Sequence, residues 1–400
     1  MAPHRAGRRL LALALTSALG LTGCTTSTPT TGCTFPDWQT RTLPAGMTTL
    51  SLAAAGPLVL VGGGVPAPGG GPDERKPMLL QLTDDAAEPV RLTPQSPYGR
   101  LAQFEFLGTD GSRIAGVGTA TGGAHLNPRW SIWSGTTGGL IEQPQPVEVF
   151  GGWNAGSLNA VAFDDSGPLL VGSWTADGGG IGGAMWTQHD SDWRRTASAL
   201  PLAGTPAGRF LPTGIGAVGN RILVSGFTVT QTESGTGLEP TLWIGDRAGG
   251  WQRRALPDGG ADGVATGLAC AADGCWVVGR IGNRLALWQV DGAPSTAAGS
   301  VGTPGNDGDD GESISRVADL PSVPLAPGDD TAVVATDGES LVAAVGSAGR
   351  ILQRGIGTDW SEVASPAPEV RAVAVSNGQL TAITGTDAGA QVWQSCRPPR

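Results

Sequence analysis

Short apolar runs, separated by turns of Gly, Asp and Asn, recur along most of the chain in a fixed order. Each unit reads as an apolar strand, a tight turn, a strand ending near V-G or S-G, a loop, a strand around Trp, and a strand that opens with Trp. The clearest copy spans 161–201, with Trp186 in its third strand and Trp193 at the start of its fourth. This self-similarity predicts consecutive four-stranded units of an all-β repeat fold.

The number of units and the way the last one ends predict the architecture. Seven copies have first strands predicted near residues 50, 104, 157, 213, 264, 331 and 369. The last copy has three strands, and residues 37–44 match the missing fourth strand, which opens with Trp. We therefore predict a single all-β domain at 33–400, a β-propeller of seven four-stranded blades whose ring is closed by an N-terminal strand. The stretch 292–328 has room for a further unit, so six and eight blades remain alternatives.

The first 24 residues have the features of an export signal. Arg5, Arg8 and Arg9 precede an apolar stretch that is too short to span a bilayer core of about 30 Å. The stretch ends in L-T-G-C at residues 21–24, which resembles the lipobox of bacterial lipoproteins. The resemblance implies removal of a signal peptide at 1–23, lipidation of Cys24 and a flexible polar tether at 24–32. The protein is then expected at the cell membrane, facing outside the cytoplasm. An ordinary signal peptide with a chance cysteine is the alternative, and Sec and twin-arginine export both remain open.

The composition narrows the class of partner. The formal net charge is −10, and the predicted signal peptide would remove three arginines and no acid. Lys76 is the single lysine of the chain. An acidic surface of this kind argues against binding to nucleic acid or to anionic lipid head groups. Scarce lysine beside abundant Ala, Gly, Pro and Arg resembles the composition of actinobacterial proteins.

Five cysteines are an odd number for an exported chain. Lipidation of Cys24 leaves four. Cys270 and Cys275 flank the turn sequence A-A-D-G between two apolar strands, which predicts a disulfide across a hairpin. Cys33 precedes the closing strand and Cys396 follows the strand with which it would pair, so we expect a second disulfide there. A zinc site is the rival interpretation, but its usual spacings are missing and export favours oxidation.

The sequence offers little that resembles a catalytic or metal site. It has three histidines and lacks G-x-S-x-G and H-E-x-x-H, so no catalytic residue and no cofactor is predicted. The acidic stretch 306–312 suggests calcium ligands, namely Asp307, Asp309, Asp310 and Glu312. Its spacing departs from the EF-hand loop, and a solvated acidic loop is the favoured alternative. Five tryptophans recur at equivalent strand positions and are interpreted as core residues: Trp133, Trp186, Trp243, Trp288 and Trp393.

An asymmetry between loops points to a binding surface. In a propeller, loops between second and third strands lie on the same face as the connections between blades. The predicted second-to-third loops are long in blades one to four, at 62–77, 119–128, 175–183 and 228–240, and short in blades five to seven. Loops on a rigid scaffold commonly carry binding residues. The candidate ligand contacts are Trp153, Asn154 and Phe210, followed by Arg75, His125 and Arg129, with Glu74, Lys76 and Asn127 weaker. For Trp153, plugging the seam between blades is the alternative.

These features predict a monomeric binding or scaffolding module that uses its loop-rich face for a protein or an envelope glycan. The alternative is a glycan-directed hydrolase or lyase with an acidic site in the central channel. A purely structural envelope protein is the third hypothesis. The hydrolase or lyase hypothesis predicts turnover of a polysaccharide, whereas the binding module predicts a stoichiometric partner. The structural hypothesis predicts neither.

Overall fold

The structure is a computed structural model that describes most of the repeat region. The described residues are 36–71, 74–84, 86–121, 128–152, 156–176, 179–232, 235–260, 262–291, 313–326, 332–355, 357–385 and 389–396. The predicted signal peptide, Cys24, the tether and Cys33 lie outside these ranges. No helix within them is long and apolar enough to cross a bilayer.

Seven sheets form the blades, and the four main strands of each blade are antiparallel. These strands follow chain order from the central channel outward, except that the outermost strand of the last blade comes from the N-terminal side of the domain. After β1 (Trp38–Thr40), blade one contains β2 (Thr48–Ala55), β3 (Leu58–Pro66), β4 (Arg75–Leu82) and β5 (Ala87–Pro89). Blade two contains β6 (Leu92–Thr93), β7 (Gln103–Thr109), β8 (Ile114–Thr121), β9 (Pro128–Thr136) and β10 (Gly139–Glu142). Blade three contains β11 (Ser157–Asp164), β12 (Gly167–Thr175), β13 (Ile181–His189) and β14 (Asp192–Arg195). Blade four contains β15 (Gly208–Val218), β16 (Arg221–Thr232), β17 (Gly235–Gly245) and β18 (Gln252–Ala255).

The remaining blades follow the same order. Blade five contains β19 (Gly263–Ala271), β20 (Gly274–Ile281), β21 (Arg284–Asp291) and β22 (Ile314–Arg316). Blade six contains β23 (Ala332–Thr336), β24 (Ser340–Val345), β25 (Arg350–Gly355) and β26 (Ser361–Ala364). Blade seven contains β27 (Val370–Ser376), β28 (Gln379–Thr384) and β29 (Gln391–Ser395). In the described ranges, one short helix, α1 (Val147–Phe150), and two 3₁₀ segments, Gly99–Leu101 and Ala197–Ala203, lie in connections between blades.

The inner strands form a closed ring. They contact one another in the order β2, β7, β11, β15, β19, β23, β27 and back to β2. β1 pairs antiparallel with β29, with Trp38 opposite Ser395, so the N-terminal strand supplies the fourth strand of blade seven. The predicted seven-bladed propeller and its closure are thus confirmed. The described part of 292–328 contains β22, which completes blade five.

Apolar packing between blades holds the ring together. Among the described residues, each junction between neighbouring blades has its own cluster of buried apolar side chains. Trp133, Trp186, Trp243 and Trp288 are buried in these clusters, as predicted. Trp393 is half-buried, and its Nε1 donates to Thr384 Oγ1 at 2.9 Å.

The structure describes both cysteines of one predicted disulfide but only one cysteine of the other. Cys270 and Cys275 are opposite each other across the β19–β20 hairpin and are joined by a disulfide. Cys396 is also disulfide-bonded. Its predicted partner, Cys33, lies outside the described residues, so that pairing stays a prediction.

The prediction of a long second-to-third loop in blade four is wrong. Residues 228–240 were expected to form a long loop, but β16 continues to Thr232 and β17 begins at Gly235. Their pairing runs without interruption from Ile222 opposite Gly245 to Thr232 opposite Gly235. Alternating Thr, Val and Gln favour extended backbone there, so the hairpin projects beyond the blade as paired strands.

Candidate functional site

Two faces of the propeller follow from the strand order. Turns between first and second strands, and between third and fourth, lie on one face, which we call the hairpin face. Second-to-third loops and the connections between blades lie on the other, which we call the loop-rich face. Most candidate residues were predicted for the loop-rich face, because its segments vary most in length.

Large apolar side chains are exposed mainly on the loop-rich face. In the described ranges, the exposed ones are Tyr98, Leu101, Ile141, Val147, Ile181 and Leu200. Five of them lie in connections or loop ends of blades one to four, and only Ile141 lies in an outer strand. Single exposed apolar residues are normal on a protein surface, so their shared location is the informative observation.

A cavity of about 140 Å³ opens on this face between blades two and three. We call it the Tyr98 cavity. Its apolar wall comes from the start of β9, the connection after β10, and the connection that carries Tyr98: Tyr98, Trp130, Ile132, Pro144, Pro146, Val147 and Phe150. Tyr98 and Val147 are 50% and 63% exposed, so they border the opening. Phe150 is buried against Trp186 and Trp193 and closes the blade junction beneath.

Arg129 is the cation of the Tyr98 cavity. Its guanidinium carbon lies 5.9 Å from the centre of the Tyr98 ring, in a cation–π contact. Within the described part of the chain, the Arg129 guanidinium donates no hydrogen bond and makes no ion pair. This predicted ligand contact therefore lines a cavity and has donors available.

The two glutamines of the cavity are hydrogen-bonded to blade three. Gln143 Oε1 accepts hydrogen bonds from Gln188 Nε2 at 2.9 Å and Trp193 Nε1 at 3.1 Å. Gln145 Oε1 accepts from Trp193 N at 2.9 Å, while its Nε2 donates to Ser191 O at 2.8 Å. These bonds fix the 143–146 segment to blade three.

Glu142 holds the segment that presents Tyr98. This carboxylate is 3% exposed and accepts hydrogen bonds from Gln95 N at 2.6 Å, Ser96 N at 2.8 Å and Ser96 Oγ. Just before the segment that carries Tyr98, β6 pairs in parallel with β10 and forms a fifth strand at the outer edge of blade two. A Cβ on Gly99 would lie 2.0 Å from Glu142 Oε2, so any other residue at this position would displace the hydrogen-bonded Glu142 carboxylate. The connection is thereby fixed on both sides of its turn.

A larger cavity lies on the other side of α1. It measures about 690 Å³, and we call it the Trp174 cavity. Glu148 and Val149 of α1 form one side, and Trp174, Arg194 and Arg195 belong to the blade-three side. The Trp174 and Trp186 rings meet edge to face, 5.0 Å apart. α1 therefore separates two cavities on the loop-rich face.

The other predicted ligand contacts have mixed outcomes. Phe210 is 1% exposed and packs edge to face on Trp243 with ring centres 6.3 Å apart. It is therefore an inter-blade core residue, and its prediction as a ligand contact is wrong. Arg75 begins β4 and donates to Gly46 O at 2.9 Å, away from the Tyr98 cavity.

Several candidates lie outside the described residues. They are Trp153, Asn154, His125, Asn127 and the calcium candidates Asp307, Asp309, Asp310 and Glu312. In sequence, Trp153 follows by two positions Gly151, which lines the Tyr98 cavity, and His125 precedes Arg129 by four. Among the residues that are described, no group of three or more His, Cys, Asp or Glu side chains is arranged to hold a metal ion.

The central channel is the site of the enzymatic alternative. Six of the described inner strands contain a β-bulge. At three bulges the extra side chain donates to a main-chain carbonyl of the next blade: Asn159 to Pro212 at 2.6 Å, Thr213 to Ala265 at 2.9 Å, and Thr266 to Ala332 at 2.7 Å. Polar side chains at these bulges therefore join neighbouring blades.

Carboxylates on the described inner strands are Glu105 and Asp164. Glu105 lies at the bulge of β7 and accepts a hydrogen bond from Thr119 Oγ1 at 2.8 Å. Asp164 lies at the opposite end of its strand, beside the hairpin face, in an ion pair with Arg247. Glycoside hydrolysis usually requires two cooperating carboxylates beside the substrate. These two carboxylates lie towards opposite ends of their strands.

Ion pairs tie the hairpin face together across blades two to four. Asp164 receives a bidentate contact from Arg247, with Nε to Oδ2 at 2.6 Å and Nη2 to Oδ1 at 2.8 Å. Arg113 donates to Asp164 O at 3.3 Å and also pairs with Asp110, with Nε to Oδ2 at 2.6 Å. Partial burial raises the pKa of Asp110, but hydrogen bonds from Arg113 and Ser112 outweigh it and hold the pKa well below 3.8.

The fold and this site define the protein as a seven-bladed β-propeller with an apolar cavity on its loop-rich face. Neither a family model nor a curated protein matches the chain. The β-propeller domain of the trilobed protease from Pyrococcus furiosus is similar in structure, with a TM-score of 0.51 and 9% identity over 87% of this chain and 95% of that one. Uncomplexed acylaminoacyl peptidase from Pyrococcus horikoshii gives 0.50 and 10% over 90% of this chain, which spans 54% of the peptidase.

A third similar structure is catalytically inactive virginiamycin B lyase from Staphylococcus aureus with quinupristin. Its TM-score is 0.48, with 12% identity over 90% of this chain and 99% of the lyase. At such low identity, the likenesses to the trilobed protease and to acylaminoacyl peptidase show the propeller fold alone.

Proposed function

We propose that this protein is a lipid-anchored, monomeric binding module of the cell envelope, which uses the loop-rich face of blades one to four to hold a protein or an envelope glycan. The lipobox-like sequence before Cys24 supports the anchor. The main observation in favour of this binding face is that most of the exposed large apolar side chains of the described residues lie on it, and that Tyr98 and Val147 border the Tyr98 cavity. An exposed apolar sector of this kind on a rigid scaffold is typical of an interaction surface.

The test is crosslinking and pull-down from native membranes, with full-length protein tagged after Arg400. Val147→Lys places a charge at the opening of the Tyr98 cavity. Ile141→Lys is the matched control, because Ile141 is 55% exposed but lies in the outer strand β10. We expect wild type and the control to recover one partner in near-stoichiometric yield, and Val147→Lys to recover about tenfold less. Cys24→Ala is expected to move the protein out of the membrane fraction.

Equal recovery by both lysine variants would contradict the assignment of the face. If no partner is recovered and the purified protein turns over wall or capsule polysaccharide, the hydrolase or lyase alternative replaces this proposal. If neither a partner nor turnover is found, the structural envelope protein is the better hypothesis.

A further inference from the structure

We propose that the Tyr98 cavity binds the carboxyl-terminal residue of a partner polypeptide, with the apolar side chain inside the cavity and the terminal carboxylate on Arg129. The proposal rests on the proposed function, because it assigns a ligand class to the same face. It chooses a protein partner over a glycan at this cavity, for three reasons given by the structure.

The cavity has the size of one side chain. Pockets for small molecules usually measure about 300–1,000 Å³, whereas this cavity measures about 140 Å³. An apolar protein cavity of about 150 Å³ is large enough for benzene. One Leu, Ile or Phe side chain therefore fills the Tyr98 cavity, and burying it against Tyr98 and Val147 removes apolar surface from water on both partners.

The hydrogen-bonding groups of the cavity do not suit a sugar. A bound sugar needs partners for several hydroxyl groups, since a polar group that is buried without a partner is costly. Gln143 Oε1 and both ends of the Gln145 amide are hydrogen-bonded to blade three. Glu142 accepts three hydrogen bonds from the 95–96 segment, so few groups remain for several hydroxyls. The apolar wall can bury a hydrocarbon group without any such requirement.

Arg129 supplies a charge complementary to a carboxylate. Its guanidinium makes a cation–π contact with Tyr98 and donates to no described residue, so its fork of N–H groups is available for a bidentate contact. Because the guanidinium carbon lies 5.9 Å from the Tyr98 ring centre, an anion and an apolar group bound here must be close together. A carboxyl-terminal residue carries both on one carbon atom, whereas an internal acidic residue needs a neighbour to supply the apolar group.

The test measures fluorescence polarisation of a labelled peptide on full-length protein in mild detergent. The probe is fluorescein-Gly-Ser-Gly-Leu with a free carboxylate, with protein titrated to about 1 mM because single-residue contacts bind weakly. The comparison probes are the same peptide as its amide and an amidated peptide ending in Leu-Asp. We expect the free acid to bind. Its amide and the Leu-Asp amide are both expected to bind at least about tenfold more weakly than the free acid.

Protein variants locate the binding. Arg129→Gln is expected to raise the dissociation constant of the free acid about tenfold and to leave that of the amide unchanged. Arg100→Gln is the matched control, because Arg100 is exposed in the same connection as Tyr98 but does not line the cavity. Equal binding of acid and amide, or equal loss in both arginine variants, would overturn the proposal.

Three further outcomes decide how this inference and the proposed function stand relative to each other. If no peptide binds while the native partner is still recovered in a Val147-dependent way, the carboxyl-terminal ligand is wrong and the binding face stands. If the Leu-Asp amide binds as well as the free acid, the site takes an internal acidic segment and the terminal residue is not the ligand. If the wild-type protein neither binds the peptide nor recovers a partner, both proposals are wrong.

Discussion

The two faces of blades two to four are formed by the ends of the same strands, yet their side chains are engaged in different ways. On the hairpin face, Asp110, Arg113, Asp164 and Arg247 bind one another across three blades. On the loop-rich face, Tyr98 and Val147 are exposed and Arg129 has donors available. The comparison indicates that ion pairs hold the hairpin face, whereas the loop-rich face presents exposed apolar side chains and available donors beside the hydrogen bonds that fix its connections. We expect a change in the ion pairs to leave binding on the loop-rich face unaltered.

The largest effect is expected at the Asp164–Arg247 ion pair between blades three and four, which we call the clamp. Asp164→Ala leaves Arg247 without its buried partner and removes the acceptor for Ser166 N and Gly167 N. Breaking such a pair costs about 3 kcal/mol of the free energy of unfolding. Urea denaturation of full-length protein measures the loss. Asp165→Ala is the control, since Asp165 is exposed in the same turn, and its effect should stay within about 0.5 kcal/mol.

Peptide binding to Asp164→Ala sharpens the comparison between faces. We expect the folded variant to bind the free-acid peptide as wild type does, because the clamp lies on the hairpin face. A loss of binding greater than the loss of folded protein would show that the two faces are coupled.

A smaller effect is expected on the loop-rich face, where Glu142 is the counterpart of the clamp. Glu142→Gln replaces one accepting carboxylate oxygen with an NH₂ group, which is a donor and faces the donors of Gln95 or Ser96. This loss should cost about 2 kcal/mol of the free energy of unfolding. Faster proteolytic cleavage of 94–101 is also expected. Glu148→Gln, an exposed change in α1, is the isosteric control. Unchanged cleavage in Glu142→Gln would mean that Tyr98 is positioned by other contacts.

The repeat was predictable because every blade must pack an apolar surface against the next blade. Apolar runs of strand length, turns with Gly or Asp, and a recurrent Trp each satisfy inter-blade packing, so Trp133, Trp186 and Trp288 were placed correctly in the core. The closing strand was predictable for the same reason, because residues 37–44 carry the pattern that the last blade lacks.

Details of the connections were not predictable from the same pattern. Phe210 was placed in a loop because blade four was expected to begin near 213, but β15 begins at Gly208 and directs Phe210 onto Trp243. The fifth strand of blade two depends on a two-residue parallel pairing, and Glu142 depends on donors 46 and 47 positions earlier in the chain. Long-range contacts of single residues leave no periodic signal. Arg129 was predicted as a ligand contact because of its position beside a long loop. The cavity that it lines was not predicted, because Tyr98 comes to it from a different connection.

The smallest effect tests whether the hairpin face depends on charge. The pKa of Asp110 is held below 3.8 in the folded protein by Arg113 and Ser112. A depressed folded pKa means that its stabilising contribution is complete above the unfolded pKa and is lost as pH falls through the folded one. The difference in free energy of unfolding between wild type and Asp110→Asn, about 1 kcal/mol near pH 6, should therefore shrink once the pH is below about 3.8. Asp165→Asn controls for the general loss of one acid. A constant difference for Asp110→Asn across that range would mean that shape and hydrogen bonding, rather than charge, maintain this turn.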